Sequence, residues 1–140
     1  MKAAHTLKYL ADHGIKPSAQ RIAVMDYLME HRTHPTVDQI HQALVRKLPT
    51  LSKTTVYNTL KLLTEKHAAK LVTIDERNAC FDADTAAHAH FMCTRCGCLL
   101  DVPLRTPTPE AEAEIPEGCR IEQTDLYLRG LCPDCARQEV

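Results

Sequence analysis

The segment HAHFMCTRCGC, residues 88–98, concentrates two histidines and three cysteines in eleven residues. Cys93 and Cys96 form one CxxC pair, and Cys132 and Cys135 form a second pair near the end of the sequence. Two residues between thiolates let both sulfurs bind the same tetrahedral ion, so two pairs can supply all four ligands of a structural zinc site. The alternative is one catalytic CxxC in a thiol–disulfide enzyme. The presence of two pairs and the lack of a βαβ pattern around either disfavour it.

His88 and His90 indicate a second kind of site. Residues i and i+2 of a strand face the same side, so the HAH run offers two imidazoles to one point. Asp82 and Asp101, on flanking segments, can add carboxylate oxygens. Nitrogen and oxygen donors suit Fe(II) or Mn(II) as well as zinc. Surface histidines also produce HxH patterns, so the spacing alone leaves this site open.

The charge distribution predicts two modules with different partners. Residues 1–78 carry 12 Lys and Arg against 7 Asp and Glu, a net of +5, whereas residues 79–140 carry 5 against 11, a net of −6. A basic half suits a polyanion, and all seven cysteines lie in the acidic half. The polar beginning of the sequence lacks the apolar stretch of a secretory signal, and no apolar run is long enough to span a membrane. A cytoplasmic protein is expected.

Residues 1–79 are predicted to form a winged helix-turn-helix domain. Helical patterns begin near Ala3, after an N-cap at Ser18, after Thr36 with Gln39 at capping-box spacing, and after Ser52; the third should close at Pro49. LVTI and ACFD follow as two short strands, which makes a plain helical bundle the less favoured alternative. The exposed face of the fourth helix carries groups that can reach DNA bases or phosphates: Lys53, Thr55, Tyr57, Asn58 and Lys61.

Residues 80–87 are predicted to be a hinge, and residues 88–140 a small α/β domain. The segment between Cys96 and Cys132 is long for a zinc ribbon, so it must contain structure that returns the chain to the site. LLDV and DLYLRG read as strands, and TPEAEAEI reads as a short helix. The expected fold class is therefore α+β.

The chain resembles the ferric uptake regulator family of metal-dependent repressors over nearly its whole length. The resemblance rests on HPTVDQI, LSKTTVYNTLKLL, the HxHxxCxxC run and the terminal CPDC. It implies a homodimer that binds double-stranded operator DNA, with a C-terminal dimerisation domain and one structural Zn(II) per subunit on the four CxxC cysteines. It also implies that Lys16 and Arg21 contact phosphates beside Tyr57 and Asn58.

The resemblance further implies one regulatory Fe(II) or Mn(II) per subunit. Its ligands would be one histidine of the DNA-binding half and four later residues: His34, Asp82, His88, His90 and Asp101. Such an ion would hold the two modules in one orientation, which is the differential contact that a conformational switch requires.

Aspartate at both carboxylate positions is similar to the peroxide-sensing members of the family. The implied mechanism is reduction of hydrogen peroxide by Fe(II) and oxidation of His34 or His88, after which the repressor leaves DNA; Mn(II) would support repression without this chemistry. The chain would then be a sensor and not an enzyme. An iron- or zinc-uptake regulator is the alternative. Thr124, where many iron-sensing members have histidine, makes a further metal site doubtful.

Three cysteines lie outside the two CxxC pairs. Cys80 is either a thiolate ligand of a zinc-sensing site or, as we favour, a small buried residue on a strand. Cys98 is expected to point away from the zinc, and Cys119 has no predicted role.

Overall fold

A computed structural model describes residues 2–75, 77–106 and 109–138. The chain divides into two compact units, Met1–Thr85 and Ala86–Val140. The division falls inside the segment predicted as a hinge, and the first strand of that segment belongs to the first unit. None of the helices in the described ranges has the length and apolar character needed to cross a bilayer.

The first unit contains four helices followed by a two-stranded antiparallel ribbon. Its elements are α1 (Lys2–Asp12), α2 (Ala19–Glu30), α3 (Val37–Leu44), α4 (Lys53–Glu65), β1 (Lys70–Val72) and β2 (Cys80–Asp82). The ribbon confirms the winged-helix prediction and excludes a plain helical bundle.

The predicted N-caps set where the helices begin. The Ser18 and Ser52 hydroxyls accept hydrogen bonds from the backbone N–H groups three residues later, at 3.2 and 3.0 Å. Thr36 and Gln39 form the complete capping box, each side chain accepting from the other's backbone N–H. These bonds satisfy amide groups that have no partner inside the helix. The apolar stripes pack between the helices, and their fully buried side chains in the described residues include Leu10, Val24, Met25, Leu28, Ile40, Val56, Leu60 and Leu63.

The prediction that Pro49 closes α3 is wrong by several residues. The helix ends at Leu44, and a turn occupies residues 45–47. Proline disfavours the helical conformation of the residue before it, so the constraint already acts at Leu48. Past Leu44 the helical pattern continues only in part: the N–H groups of Val45 and Leu48 each donate to the carbonyl four residues earlier at 2.9 Å, whereas Lys47 N–H donates to the Leu44 carbonyl, three residues earlier, at 3.0 Å.

The second unit is built on a three-stranded sheet. Strand β3 (His88–Cys93) lies in the centre, antiparallel to β4 (Leu99–Pro103) and parallel to β5 (Tyr127–Gly130). Parallel neighbours need a long crossover, which explains the wide separation of the two CxxC pairs. This crossover contains a 3-10 helix, Pro109–Glu112, within the predicted TPEAEAEI helix, whose Thr108 lies outside the described residues. A short helix α5 (Pro133–Arg137), not predicted, follows β5.

Candidate metal centres

Four cysteines of the second unit form a compact thiol cluster. The sulfurs of Cys93, Cys96, Cys98 and Cys132 lie within 4.8 Å of one another. The Cys96 and Cys132 sulfurs are 3.7 Å apart. Tetrahedral zinc with Zn–S bonds of about 2.3 Å places its sulfurs about 3.8 Å apart, so the cluster has the donor type and spacing of a structural zinc site.

The turn after β3 brings the cluster together. The backbone N–H of Cys96 donates to the Cys93 sulfur at 3.4 Å, and Gly97 N–H donates to the Cys93 carbonyl at 2.9 Å. Gly97 has φ +79°, a left-handed conformation that a residue with a side chain rarely adopts. Thr94 N–H bonds to the Gly130 carbonyl at 2.8 Å, which ties the turn to the end of β5 and so to Cys132.

Cys98 lies inside the cluster, so the prediction that it points away is wrong. The left-handed Gly97 reverses the chain, and the Cys93 N–H donates to the Cys98 carbonyl at 2.9 Å. This bond returns Cys98 to the side of Cys93. The sequence signal was the glycine before Cys98, which permits the reversal.

Cys135, the second cysteine of the later CxxC pair, also lies at the cluster. It is buried on α5 and packs against Cys93 and Cys132. The carbonyl of Cys135 accepts a hydrogen bond from the Arg95 guanidinium at 3.3 Å, which links α5 to the turn that carries Cys96. The unit thus gathers five thiols where the sequence predicted four ligands.

The environment divides four of these thiols into two classes. Backbone N–H donation from Cys96 lowers the pKa of Cys93 to about 5, and donation from the Cys135 N–H lowers the pKa of Cys132. Hydrogen bonding to Cys96 raises the pKa of Cys98 to about 12, and burial raises the pKa of Cys135 to about 12. Two ligands therefore favour the thiolate form that metal binding requires, whereas two hold their protons until a cation displaces them.

A second donor set in the same unit combines two imidazoles and a carboxylate. The Nε2 atoms of His88 and His90 are 3.1 Å apart, and each lies 3.5 Å from Oδ1 of Asp101. The strands dictate this triangle, because His88 and His90 share one face of β3 and Asp101 on β4 pairs with His90. For metal–nitrogen bonds of about 2.1 Å, neighbouring ligand nitrogens lie about 3.0–3.4 Å apart. The three side chains therefore have the spacing of one face of a metal site.

A backbone bond fixes the tautomer of His88. Its Nδ1 lies 2.8 Å from the Ala86 carbonyl, which only accepts, so Nδ1 carries the proton. The lone pair then belongs to Nε2, the atom that faces His90 and Asp101.

The first unit contains a histidine–carboxylate pair. His34 Nε2 lies 3.4 Å from Asp82 Oδ2. The Phe81 N–H donates to the Pro35 carbonyl at 3.0 Å, which joins the loop before α3 to β2 and brings the two side chains together. Asp84 N–H donates to Asp82 Oδ1 at 2.9 Å and so orients the carboxylate. His34 has φ +57°, a left-handed conformation that is uncommon for residues with a side chain.

Cys80 has the properties of a buried structural thiol. Its sulfur lies 3.6 Å from the Val72 carbonyl, to which the thiol donates. Burial raises the pKa of Cys80 to about 11, with further contributions from Asp75 and Asp82. A thiol that holds its proton this firmly favours the structural interpretation over the thiolate ligand.

The predicted DNA-contact residues form a mostly solvent-exposed set in the first unit. On α4, Lys53, Asn58 and Lys61 are exposed, Tyr57 is 54% exposed, and Thr55 is partly exposed. The Thr55 hydroxyl accepts from Ser52 at 2.9 Å, and Lys53 pairs with Asp38 at 3.2 Å. In the first turn of α2, Arg21 Nη1 donates to the carbonyl of Lys16, an exposed residue before the helix, at 2.7 Å.

The fold combines a winged helix with a sheet unit that carries a compact thiol cluster. These features define a winged-helix protein with a candidate metal site. The model of the ferric uptake regulator family matches residues 12–129. The chain belongs to this family.

Similarity to known proteins extends over most of the chain. The chain is 33% identical to the peroxide operon regulator of Bacillus subtilis over 143 residues, and the match covers 98% of each protein. It is 37% identical to the peroxide-responsive repressor PerR of Staphylococcus aureus strain Mu50 over 127 residues, covering 90% of this chain and 86% of the relative. The structure of the Helicobacter pylori ferric uptake regulator matches its fold with a TM-score of 0.71 at 21% identity, covering 99% of this chain and 94% of that one.

Proposed function

We propose that this chain is a DNA-binding repressor that requires a regulatory Fe(II) or Mn(II) and is released from DNA by hydrogen peroxide. The observation that carries the proposal is the triangle of His88, His90 and Asp101, whose spacing fits one cation. The nitrogen and oxygen donors fit Fe(II) and Mn(II). The names of the B. subtilis and S. aureus relatives support peroxide as the signal.

We place His34 and Asp82 of the first unit in the same regulatory site, on the basis of the family resemblance. All five residues then hold one ion, and the ion links the DNA-binding unit to the sheet unit. An ion that takes ligands from both units binds more tightly to conformations in which the two ligand sets meet. Binding therefore shifts the protein towards those conformations.

The chain's residues prepare the histidines for a sacrificial reaction. Bound Fe(II) would mediate the transfer of two electrons from a ligand imidazole to peroxide, with no net change in its own oxidation state. In the net reaction, one peroxide oxygen enters an imidazole ring in place of a C–H bond, and the other leaves as water. The Ala86 carbonyl holds the His88 ring in its donor orientation, and the Asp82 carboxylate lies beside the ring of His34, the other candidate. An oxidised ring is a poorer ligand, so the link between the units is lost.

The remaining sites serve structure and recognition in this proposal. The thiol cluster holds one zinc ion per subunit and stabilises a sheet unit that forms the homodimer. Two copies of α4 then read a double-stranded operator in the cytoplasm. Their contacts come from Lys53, Thr55, Tyr57, Asn58 and Lys61, with Lys16 and Arg21 at phosphates.

Peptide mass spectrometry of the Fe(II)-loaded protein after low-dose peroxide tests the proposal. We expect a one-oxygen mass increase on the peptides containing His34 or His88, together with loss of DNA binding. The Mn(II)-loaded protein should show neither change. Unmodified peptides with DNA binding intact would overturn peroxide sensing and indicate an iron- or zinc-uptake regulator.

A matched pair of variants tests the site itself. Asp101→Asn should weaken Mn(II) binding by at least the roughly 10–100-fold that loss of an outer-shell partner costs. Asp125→Asn changes an aspartate of the same unit that pairs with Gln123, and it should leave Mn(II) affinity unchanged. Equal Mn(II) affinities of the two variants would contradict the assignment of Asp101.

A further inference from the structure

We propose that Cys98 is a fifth thiol of the zinc site and alternates with Cys135 as the fourth zinc ligand. The inference deepens the zinc assignment made above and rests on it. Zinc in structural sites is four-coordinate, so five thiols cannot bind one ion at the same time. Cys93 and Cys132 lie beside both candidates and, with Cys96, form the constant part of the site.

Cys98 meets the geometric requirement for a ligand. Its sulfur lies within 4.8 Å of the three constant sulfurs, close enough for one ion to bind all four. The backbone pairing of Cys93 N–H with the Cys98 carbonyl holds it there, beside the left-handed Gly97. Cys98 is therefore placed by the same turn that places Cys93 and Cys96.

Cys135 packs against Cys93 and Cys132 from a different segment of the chain. It is buried on α5, a helix of only five residues that begins directly after Cys132. The Ala136 N–H donates to the Cys132 carbonyl at 2.8 Å, and the Arg95 guanidinium donates to the Cys135 carbonyl at 3.3 Å. Either of two separate segments can thus supply the fourth zinc ligand.

The exchange is a ligand substitution without redox change. The entering thiol loses its proton and forms a Zn–S bond, and the leaving thiolate takes up a proton as its Zn–S bond breaks. Zinc stays Zn(II) with four sulfur ligands throughout. The predicted consequence is a zinc site that survives loss of either candidate.

Zinc content of purified cysteine variants, measured after dialysis against a mild chelator, tests the inference. Wild type, Cys98→Ser and Cys135→Ser should each retain about one zinc per chain, because one candidate always remains. Cys98→Ser/Cys135→Ser and Cys93→Ser should retain almost none. Cys119→Ser removes an exposed cysteine elsewhere and serves as the matched control, with about one zinc.

Zinc loss from one single variant but not from the other would overturn the exchange, because it would identify one obligate ligand. A wild type without zinc would instead overturn the zinc assignment itself, so the two failures are distinguishable.

Alkylation of the zinc-loaded wild type, followed by peptide mapping, gives a second test that does not depend on the folding of any variant. Partial labelling of both Cys98 and Cys135, adding up to about one thiol per zinc, is the expected result. Complete labelling of Cys98 with full protection of Cys135, or the reverse, would contradict the exchange.

Discussion

At the scale of single residues, one strand carries two kinds of metal ligand. His88 and His90 of β3 offer imidazole nitrogens, and Cys93 at the end of the same strand offers a thiolate. Soft thiolates select zinc, whereas imidazole with carboxylate accommodates Fe(II) and Mn(II). The proposed structural and regulatory ions therefore differ in ligand type, so that a change of regulatory metal leaves the thiol site untouched.

The raised pKa of Cys80 predicts low reactivity of this thiol. With a pKa of about 11, roughly 0.1% of Cys80 is thiolate at pH 8, against about a quarter of an ordinary thiol with a pKa of about 8.5. Because the thiolate is the nucleophile, alkylation of Cys80 in the native protein should be more than about 100-fold slower than alkylation of an ordinary exposed thiol. Its rate should rise with pH up to about 11.

Peptide-mapped alkylation between pH 7 and 10 measures these rates, with exposed Cys119 as the internal reference. A Cys80 rate equal to that of Cys119 at pH 8 would show that the thiol is a free thiolate and would restore it as a candidate metal ligand.

At the scale of elements, the sequence predicted best where a local signal acts alone. Ser18, Thr36 and Ser52 begin helices because each hydroxyl accepts from an amide three residues on, a pattern readable from the sequence. The place of Cys98 depends instead on the conformation of Gly97 and on pairing across the turn. Tertiary pairing of this kind leaves no periodic signal in the sequence. For the short helix after Cys132, the only local signal is Pro133 at its first position.

The capping box stabilises the beginning of α3. Thr36→Ala removes the bond to Gln39 N–H and should cost about 1 kcal/mol. For a unit the size of Met1–Thr85, this lowers the Tm of the full-length protein's first transition by about 4–8 °C. Thr36→Ser keeps the hydroxyl and should recover most of the loss in thermal unfolding by circular dichroism. An unchanged Tm of Thr36→Ala would refute the contribution of the box.

The exposed face of α4 should divide into base-reading and phosphate-binding residues. Asn58→Ala should lower affinity for the operator by about 1–3 kcal/mol and relax its sequence preference. Lys61→Ala should weaken binding to all sequences and reduce the salt slope by about 1. Fluorescence anisotropy over a salt series measures both.

Lys8→Ala is the control for these variants, because Lys8 is exposed on α1 and pairs with Asp12. Unaltered DNA binding by Asn58→Ala and Lys61→Ala would exclude α4 as the recognition helix.

At the scale of the whole molecule, the candidate regulatory ligands are divided between the two units. Hydrogen bonds within the first unit hold His34 near Asp82, and strand pairing within the second holds His90 near Asp101. Each half of the set could be predicted from spacing or local structure. That both halves serve one ion was suggested by the family resemblance alone, because no pattern within either unit encodes an arrangement that spans the two.

The central claim is that a single cation takes ligands from both units, and an anomalous-diffraction crystal structure of the Mn(II)-loaded protein tests it most directly. We predict one manganese per chain within bonding distance of His34, Asp82, His88, His90 and Asp101. Manganese bound by the second unit's residues with His34 outside its coordination sphere would contradict the claim, even if the thiol cluster held zinc as expected.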